Sequence, residues 1–226
     1  MLIDPDKAGE NHLKELIGIA EQNGVDWFFV GGSTVIKEDF DRTVTFLKKN
    51  SSIRVIIFPG SSMQINEHAD AMLFLSLLSG RNSEYLIGQQ VAAAKSIYDM
   101  NLTVIPTAYI LVNGGKASTT VKVTNTNALT NTDEIIATAL AGEMLGMKAI
   151  YLEAGSGANQ AVTADMIQAV RKHCSAKLIV GGGIRNGEQA KKIIAAGAET
   201  IVIGNVLEEE PKILAQICEA INNMTI

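Results

Sequence analysis

Residues 149–157 read Ala-Ile-Tyr-Leu-Glu-Ala-Gly-Ser-Gly, and residues 177–183 read Lys-Leu-Ile-Val-Gly-Gly-Gly. Each is a short apolar run that stops at glycines. A segment of helical period, 163–173, lies between them. Strand, helix and strand in that order make a parallel βαβ unit. The unit repeats outward in both directions. Further strands are expected at Leu2–Asp4, Asp26–Gly31, Arg54–Phe58, Ala71–Leu77, Thr103–Leu111 and Thr200–Gly204, making eight with Ala149–Glu153 and Lys177–Gly181. Helical patterns fall at 11–23, 37–50, 84–100, 133–146, 187–197 and 211–223, besides 163–173. Gly24, Gly146 and Gly197 stand where helices end, and Thr132-Asp133 and Asn186 stand where they begin. Eight strands in series favour a single (β/α)8 TIM barrel of the α/β class over residues 1–226, rather than an open doubly wound sheet.

Composition supports one packed domain. The chain has 226 residues, of which 47% are hydrophobic and 19% charged, which excludes disorder. The longest apolar run, Ala71–Leu78, is broken by Ser76 and is far short of the ~20 residues that cross a bilayer. Met1 runs directly into Leu-Ile-Asp-Pro-Asp with no charged and apolar leader, so a soluble, cytoplasmic protein is expected. The net charge of −5 argues against a nucleic-acid partner. Cys174 and Cys218 read as reduced, small apolar residues. The three histidines, His12, His68 and His173, are scattered, which disfavours zinc and leaves a hard, oxygen-bound cation as the easier ion to hold.

Two connections break the pattern. Only about a dozen residues, Pro59 to Asp70, join the third and fourth strands, and they contain no long amphipathic stretch. The third helix is therefore expected to be short or missing, leaving a groove in the outer ring; an ordinary short helix over 63–69 fits the spacing equally. Val112–Asn131, polar and rich in Thr and Asn, is long for a βα loop. Such loops often lie over the active site, the alternative being a surface excursion.

The active face of such a barrel lies at the C-terminal ends of its strands. Three glycine-rich loops meet there: Gly155–Gly157, Gly182–Gly183 and Gly204–Asn205. Their backbone amides suit an anion, and loops in these positions often hold a phosphate. Glu153 ends the sixth strand inside an apolar run and points at the same mouth. It suits accepting a proton or a hydrogen bond from a substrate hydroxyl, or else is a structural carboxylate. Tyr151, two residues earlier, shares its side. Asp4 and Asp6 bracket Pro5 after the first strand. With a hydroxyl from Ser33 or Thr34 they suit Mg²⁺, although Asp-Pro-Asp is equally a strand-ending turn and cap.

Taken together, Leu-Ile-Asp-Pro-Asp-Lys (2–7), Val-Gly-Gly-Ser-Thr (30–34), Phe-Pro-Gly-Ser (58–61), Leu-Ser-Gly-Arg-Asn (78–82), Pro-Thr-Ala-Tyr-Ile (106–110), Tyr-Leu-Glu-Ala-Gly-Ser-Gly (151–157), Val-Gly-Gly-Gly-Ile-Arg (180–185) and Ile-Gly-Asn (203–205) resemble the geranylgeranylglyceryl phosphate synthase family. The resemblance covers the whole chain in order. It is closer to the geranylgeranyl branch than to the related heptaprenylglyceryl phosphate synthases. It implies a TIM barrel that has lost its third helix. It also implies transfer of a prenyl group from its diphosphate to the C3 hydroxyl of sn-glycerol 1-phosphate, with Mg²⁺, at the start of ether-lipid synthesis. By resemblance, Asp4 and Ser33 match the metal positions. Tyr151, Leu152, Glu153, Ala154, Gly155, Ser156, Gly157, Gly182, Gly183, Gly204 and Asn205 match the glycerol-phosphate positions. A homodimer or hexamer is implied as well. Family members usually carry more residues before Leu-Ile-Asp, so a truncated first strand or a misassigned start is expected here.

On this reading Glu153 is the catalytic residue, accepting or orienting the hydroxyl proton. Lys7 or Arg81 adds positive charge near the diphosphate, and Phe74 and Tyr109 either line the groove for the prenyl tail or belong to the ordinary core. Two rivals share the three glycine loops: a sugar-phosphate isomerase or lyase using Glu153 and Asp4 as acid and base, and a non-catalytic sensor of a phosphorylated metabolite.

Overall fold

The structure, a computed structural model, describes residues 1–115 and 118–224. Its eight strands are β1 (Leu2–Ile3), β2 (Trp27–Val30), β3 (Arg54–Ile57), β4 (Ala71–Leu77), β5 (Val104–Leu111), β6 (Ala149–Glu153), β7 (Lys177–Gly181) and β8 (Thr200–Val202). They pair in sequence order, each parallel to the next. The Leu2 N–H donates to Ile203 O at 2.8 Å and joins the last strand back to the first. The expected (β/α)8 barrel is therefore what forms. Its first strand has two residues.

Helices form where apolar residues recur on one face. In α1 (Glu10–Gln22), Leu13, Leu16, Ile17 and Ala20 turn inward; in α2 (Lys37–Asn50), Phe40, Val44 and Leu47 do so. The remaining α-helices are α3 (Gln89–Asp99), α4 (Thr119–Thr124), α5 (Thr132–Met144), α6 (Ala164–His173), α7 (Gly187–Ala195), α8 (Asn205–Glu209) and α9 (Ile213–Asn222), with a 3-10 turn at Pro5–Lys7 and a π-helical turn at Glu84–Gly88 leading into α3. Asn186 caps α7 as expected, its Oδ1 accepting from the Gln189 N–H at 2.9 Å. At α5 the cap is Asn131, one residue before the expected pair, because its Oδ1 reaches the Glu134 N–H. Gly24, Gly146 and Gly197 each follow a helix with positive φ, the αL stop that glycine adopts without strain. Two short helices, α4 and α8, were not read from the sequence.

The two-residue period of each strand divides the core. Phe29, Leu73, Tyr109, Tyr151 and Ile179 fill the barrel, while Phe28, Val30, Ile110, Ile150 and Leu152 pack outward beneath the helices. Between β3 and β4 there is no helix among residues 58–70. Ile65 and Ala69 supply the apolar cover there. Polar side chains pin the segment to α2 and β3. Lys37 Nζ donates to Ile65 O at 2.8 Å, Asn66 Nδ2 to Asp41 Oδ1 at 2.8 Å, and the Val55 N–H to Asp70 Oδ2 at 2.7 Å.

Candidate active site

Every strand except β4 contributes its C-terminal end to a mouth of about 540 Å³. Such a volume suits a small-molecule site. Glu153 reaches it from β6 and is only 6% exposed. Its Oε1 accepts from the Gly155 N–H at 2.6 Å. Burial raises its pKa to about 7, against the opposing effects of the Gly155 N–H and of Tyr151 beside it. The carboxylate lies against the backbone of β7. A Cβ on Gly181 would sit 2.8 Å from Oε2, and one on Gly182 would sit 2.5 Å from Oε1. Glycine is required at those positions for the carboxylate to fit.

Beneath Glu153, Phe58, Tyr109 and Tyr151 form a cluster. Phe58 stacks on Tyr151 with centroids 5.2 Å apart, and Tyr109 meets both rings edge-on. Burial, and then the nearby Glu153 carboxylate, hold both tyrosine phenols well above their ordinary pKa. Both therefore stay protonated. The buried Tyr151 hydroxyl has no well-formed hydrogen bond in the described residues.

On one side of the mouth the loops after β6, β7 and β8 converge. Ser156, Gly157, Gly182, Gly183, Gly204 and Asn205 all line it. Ser156 Oγ donates to Asn205 Oδ1 at 2.9 Å, joining the first loop to the third. The amides of Ser156, Gly157, Gly183 and Asn205 have no hydrogen-bond acceptor among the described residues. Free N–H groups around a concavity suit an anion. Three of the expected positions behave differently. Leu152 and Ala154 point outward into the helix layer, as the strand period requires. The Gly155 N–H is already committed to Glu153. Arg185, which the site reading had not singled out, also lines the mouth, its guanidinium donating to Ala158 O at 3.1 Å.

On the other side lie Asp4, Asp6, Lys7, Ser33 and Thr34. Asp4 does form the strand-ending cap, its Oδ1 accepting from the Asp6 N–H at 3.2 Å, while Oδ2 pairs with Lys7 Nζ at 3.3 Å. Asp6 Oδ1 accepts from the Ile36 N–H and ties this turn to the loop after β2. Asp4 Oδ1 would lie 3.5 Å from a Cβ on Gly32, which places the carboxylate over the residue next to Ser33. Ser33 Oγ lies 3.3 Å from Thr120 Oγ1 on α4. The long loop after β5 thus covers the mouth. No group of three or more His, Cys, Asp or Glu side chains able to hold a metal occurs among the described residues. One or two carboxylates with hydroxyls fit Mg²⁺, which keeps waters and phosphate oxygens as its other ligands, and do not fit a closed zinc site.

From Phe58 and Tyr109 an apolar groove runs outward between residues 59–62 and α3, through the gap left by the absent helix. Phe74 and Tyr109 both line it, with Met72, Leu75 and Ala93. Arg81 is elsewhere, exposed, with its guanidinium on Leu78 O and Gly80 O. No helix of the described residues is long and apolar enough to cross a membrane.

Comparison with known proteins gives consistent results. The model of the PcrB family matches residues 1–222. Geranylgeranylglyceryl phosphate synthase of Chitinophaga pinensis is 42% identical over 98% of this chain and 89% of its own. That of Pyrococcus furiosus is 42% identical over 92% and 83%. The structure superimposes on the Thermoplasma acidophilum (S)-3-O-geranylgeranylglyceryl phosphate synthase in complex with sn-glycerol-1-phosphate. The TM-score is 0.93 at 34% identity, covering 99% of this chain and 92% of that one.

Proposed function

The chain belongs to the PcrB family, and on that premise we propose that it transfers a geranylgeranyl group from geranylgeranyl diphosphate to the C3 hydroxyl of sn-glycerol 1-phosphate, releasing diphosphate. One observation carries the reading. A polar mouth with unengaged amides and a buried carboxylate opens, through Phe58 and Tyr109, into an apolar groove. A sugar-phosphate isomerase needs the mouth and has no use for the groove.

The amides of Ser156, Gly157, Gly183 and Asn205 hold the phosphate of the acceptor, with Arg185 beside them. That fixes the free hydroxyl against Glu153. The prenyl tail lies in the groove against Phe74, shedding water at roughly 0.8 kcal/mol per buried CH₂. Its reactive carbon then falls beside the ring cluster. The allylic carbon–oxygen bond breaks, and its electron pair leaves with the diphosphate. The hydroxyl oxygen forms the new ether bond, and its proton passes to Glu153. Rings of Phe58, Tyr109 and Tyr151 face the carbon as positive charge develops on it. A base with a pKa near 7 suits this step at neutral pH, and kcat/KM should rise along a limb with its inflection near 7. Asp4 and Ser33 would hold Mg²⁺, which supplies positive charge for the departing diphosphate. The acidic balance of the mouth supports this, since among the described residues Asp4, Asp6, Glu153, Glu208 and Glu209 face only Lys7 and Arg185. Exposed Tyr98, Met144 and Leu145 support a homo-oligomer.

The test is incubation with sn-glycerol 1-phosphate and farnesyl, geranylgeranyl or heptaprenyl diphosphate, with and without Mg²⁺. Release of diphosphate is expected with the geranylgeranyl donor and the metal together. No turnover with any donor defeats the reading, and preference for heptaprenyl diphosphate transfers it to the other branch. Asp4→Ala should abolish the response to Mg²⁺ along with activity.

A further inference from the structure

Gln64 lies in the segment that takes the place of a helix between β3 and β4, and it is 1% exposed. Both the nitrogen and the oxygen of its side-chain amide are engaged. Nε2 donates to Gly32 O at 2.8 Å; Oε1 accepts from the Gly60 N–H at 3.1 Å and from the Gly32 N–H at 3.5 Å. Both polar groups of Gly32 therefore end on one side chain. The ladder between β2 and β3 stops at Val30 and Ile57. Beyond that point the Gln64 amide, with the same donor and acceptor as a peptide, takes over its work.

The surrounding backbone leaves no room for another anchor. A Cβ on Gly31 would lie 2.0 Å from Phe58 O, and one on Gly60 would lie 2.1 Å from Gly32 O. The loop that carries Ser33 thus has no side chain of its own at the crossing. Gln64 borders neither the mouth nor the groove, so anything it does for the reaction passes through Gly32.

We propose that Gln64 is a positioning residue for the donor end of the site. It holds the Gly32–Ser33 loop in register with Asp4, in place of the support that a full ring of helices would give. The anion cradle across the mouth is built on β6, β7 and β8 and does not depend on it. The inference rests on the reading above of Asp4 and Ser33 as the seat of the diphosphate and its cation.

Gln64→Met keeps length and volume and removes the donor and the acceptor. Gln64→Glu keeps the acceptor, loses the donor and sets a charge against Gly32 O. In the full-length chain, three things are measured. These are the KM values for geranylgeranyl diphosphate and sn-glycerol 1-phosphate, the calorimetric Kd of inorganic diphosphate with Mg²⁺ and of sn-glycerol 1-phosphate, and amide exchange of residues 30–34 without ligand. Gln64→Met should raise the donor KM and the diphosphate Kd roughly tenfold, the scale of one or two hydrogen bonds. It should speed exchange in that loop and leave both glycerol-phosphate constants unchanged. Equal weakening of both ligands, or of neither, overturns the proposal. If Gln64→Met does not fold, Gln64→Glu is read by the same constants. Wild-type protein that binds diphosphate but transfers no prenyl group defeats the functional reading, while the ratio of the two Kd values still decides the role of Gln64.

Discussion

The two halves of the barrel mouth are built by different means. Across β6, β7 and β8 the helices are complete and the mouth-facing groups are backbone amides of glycine-rich loops. Across β2, β3 and β4 a helix is absent, and the loops are held by side chains: Gln64 on Gly32, Lys37 on Ile65 O, Asp70 on the Val55 N–H. A backbone cradle needs little more than a turn of fixed shape, so it suits a small, constant anion. A half held by side chains can omit a whole helix and expose an apolar wall. On the proposed function, the contrast lets one fold receive a polar acceptor and a greasy donor in the same cavity.

Glu153 stands between the halves, and its removal should have the largest effect. Glu153→Gln is expected to lower turnover by roughly 10²–10⁴-fold, the usual size of a general-base contribution, while calorimetric binding of sn-glycerol 1-phosphate stays near wild type. An unchanged rate would take Glu153 out of the chemistry. The same pair of proteins tests stability. The folded pKa of Glu153 is about 7 and its ordinary value is 4.5, so the fold favours the protonated acid. That preference costs nothing below pH 4.5, where the unfolded chain is protonated too. The penalty grows as pH rises from 4.5 to about 7 and is constant above that, where both states are ionised. Glu153→Gln should therefore match wild type near pH 4 in denaturant unfolding and exceed it by up to roughly 3 kcal/mol at pH 8.

Glycine replacements set the halves against each other. Gly182 has φ +82°, and a Cβ there would meet Glu153 Oε1 at 2.5 Å and the Gly155 nitrogen at 2.6 Å. Gly182→Ala should cost about 2 kcal/mol or more in denaturant unfolding and weaken glycerol-phosphate binding. Gly60→Ala, which drives a methyl at Gly32 O, should instead weaken the diphosphate donor. The same ligand lost in both variants would erase the distinction between halves. The smallest effect belongs to Asp70→Ala. It removes the carboxylate that receives the Val55 N–H and Lys48, at a cost of about 1 kcal/mol by thermal or denaturant unfolding, with both KM values unchanged.

Much of this was legible in the residues. The eight apolar runs, the glycine stops at 24, 146 and 197, and the want of a helix between β3 and β4 all follow from periodicity and turn chemistry. The positions of Glu153 and Tyr151 in the mouth follow from the two-residue strand period, and that same period turns Leu152 and Ala154 outward. What stayed hidden depends on tertiary contact. A lone glutamine in a loop has no pattern that marks it as a clamp on Gly32. The α4 helix is a run of Thr and Val, weak helix formers, made helical where Ser118 Oγ accepts from the Val121 N–H. Asn131 outcompetes Thr132 as a cap through a geometry of one hydrogen bond that spacing does not resolve.

The opening between residues 59–62 and α3 has one more consequence. A barrel with an unbroken outer wall trades with solvent only through its top, so a long molecule must be threaded in and drawn out along one axis. Here there is a window in the side. A hydrocarbon chain can stay lodged sideways in it while the charged ends exchange overhead. Residence time should then lengthen with the length of the chain.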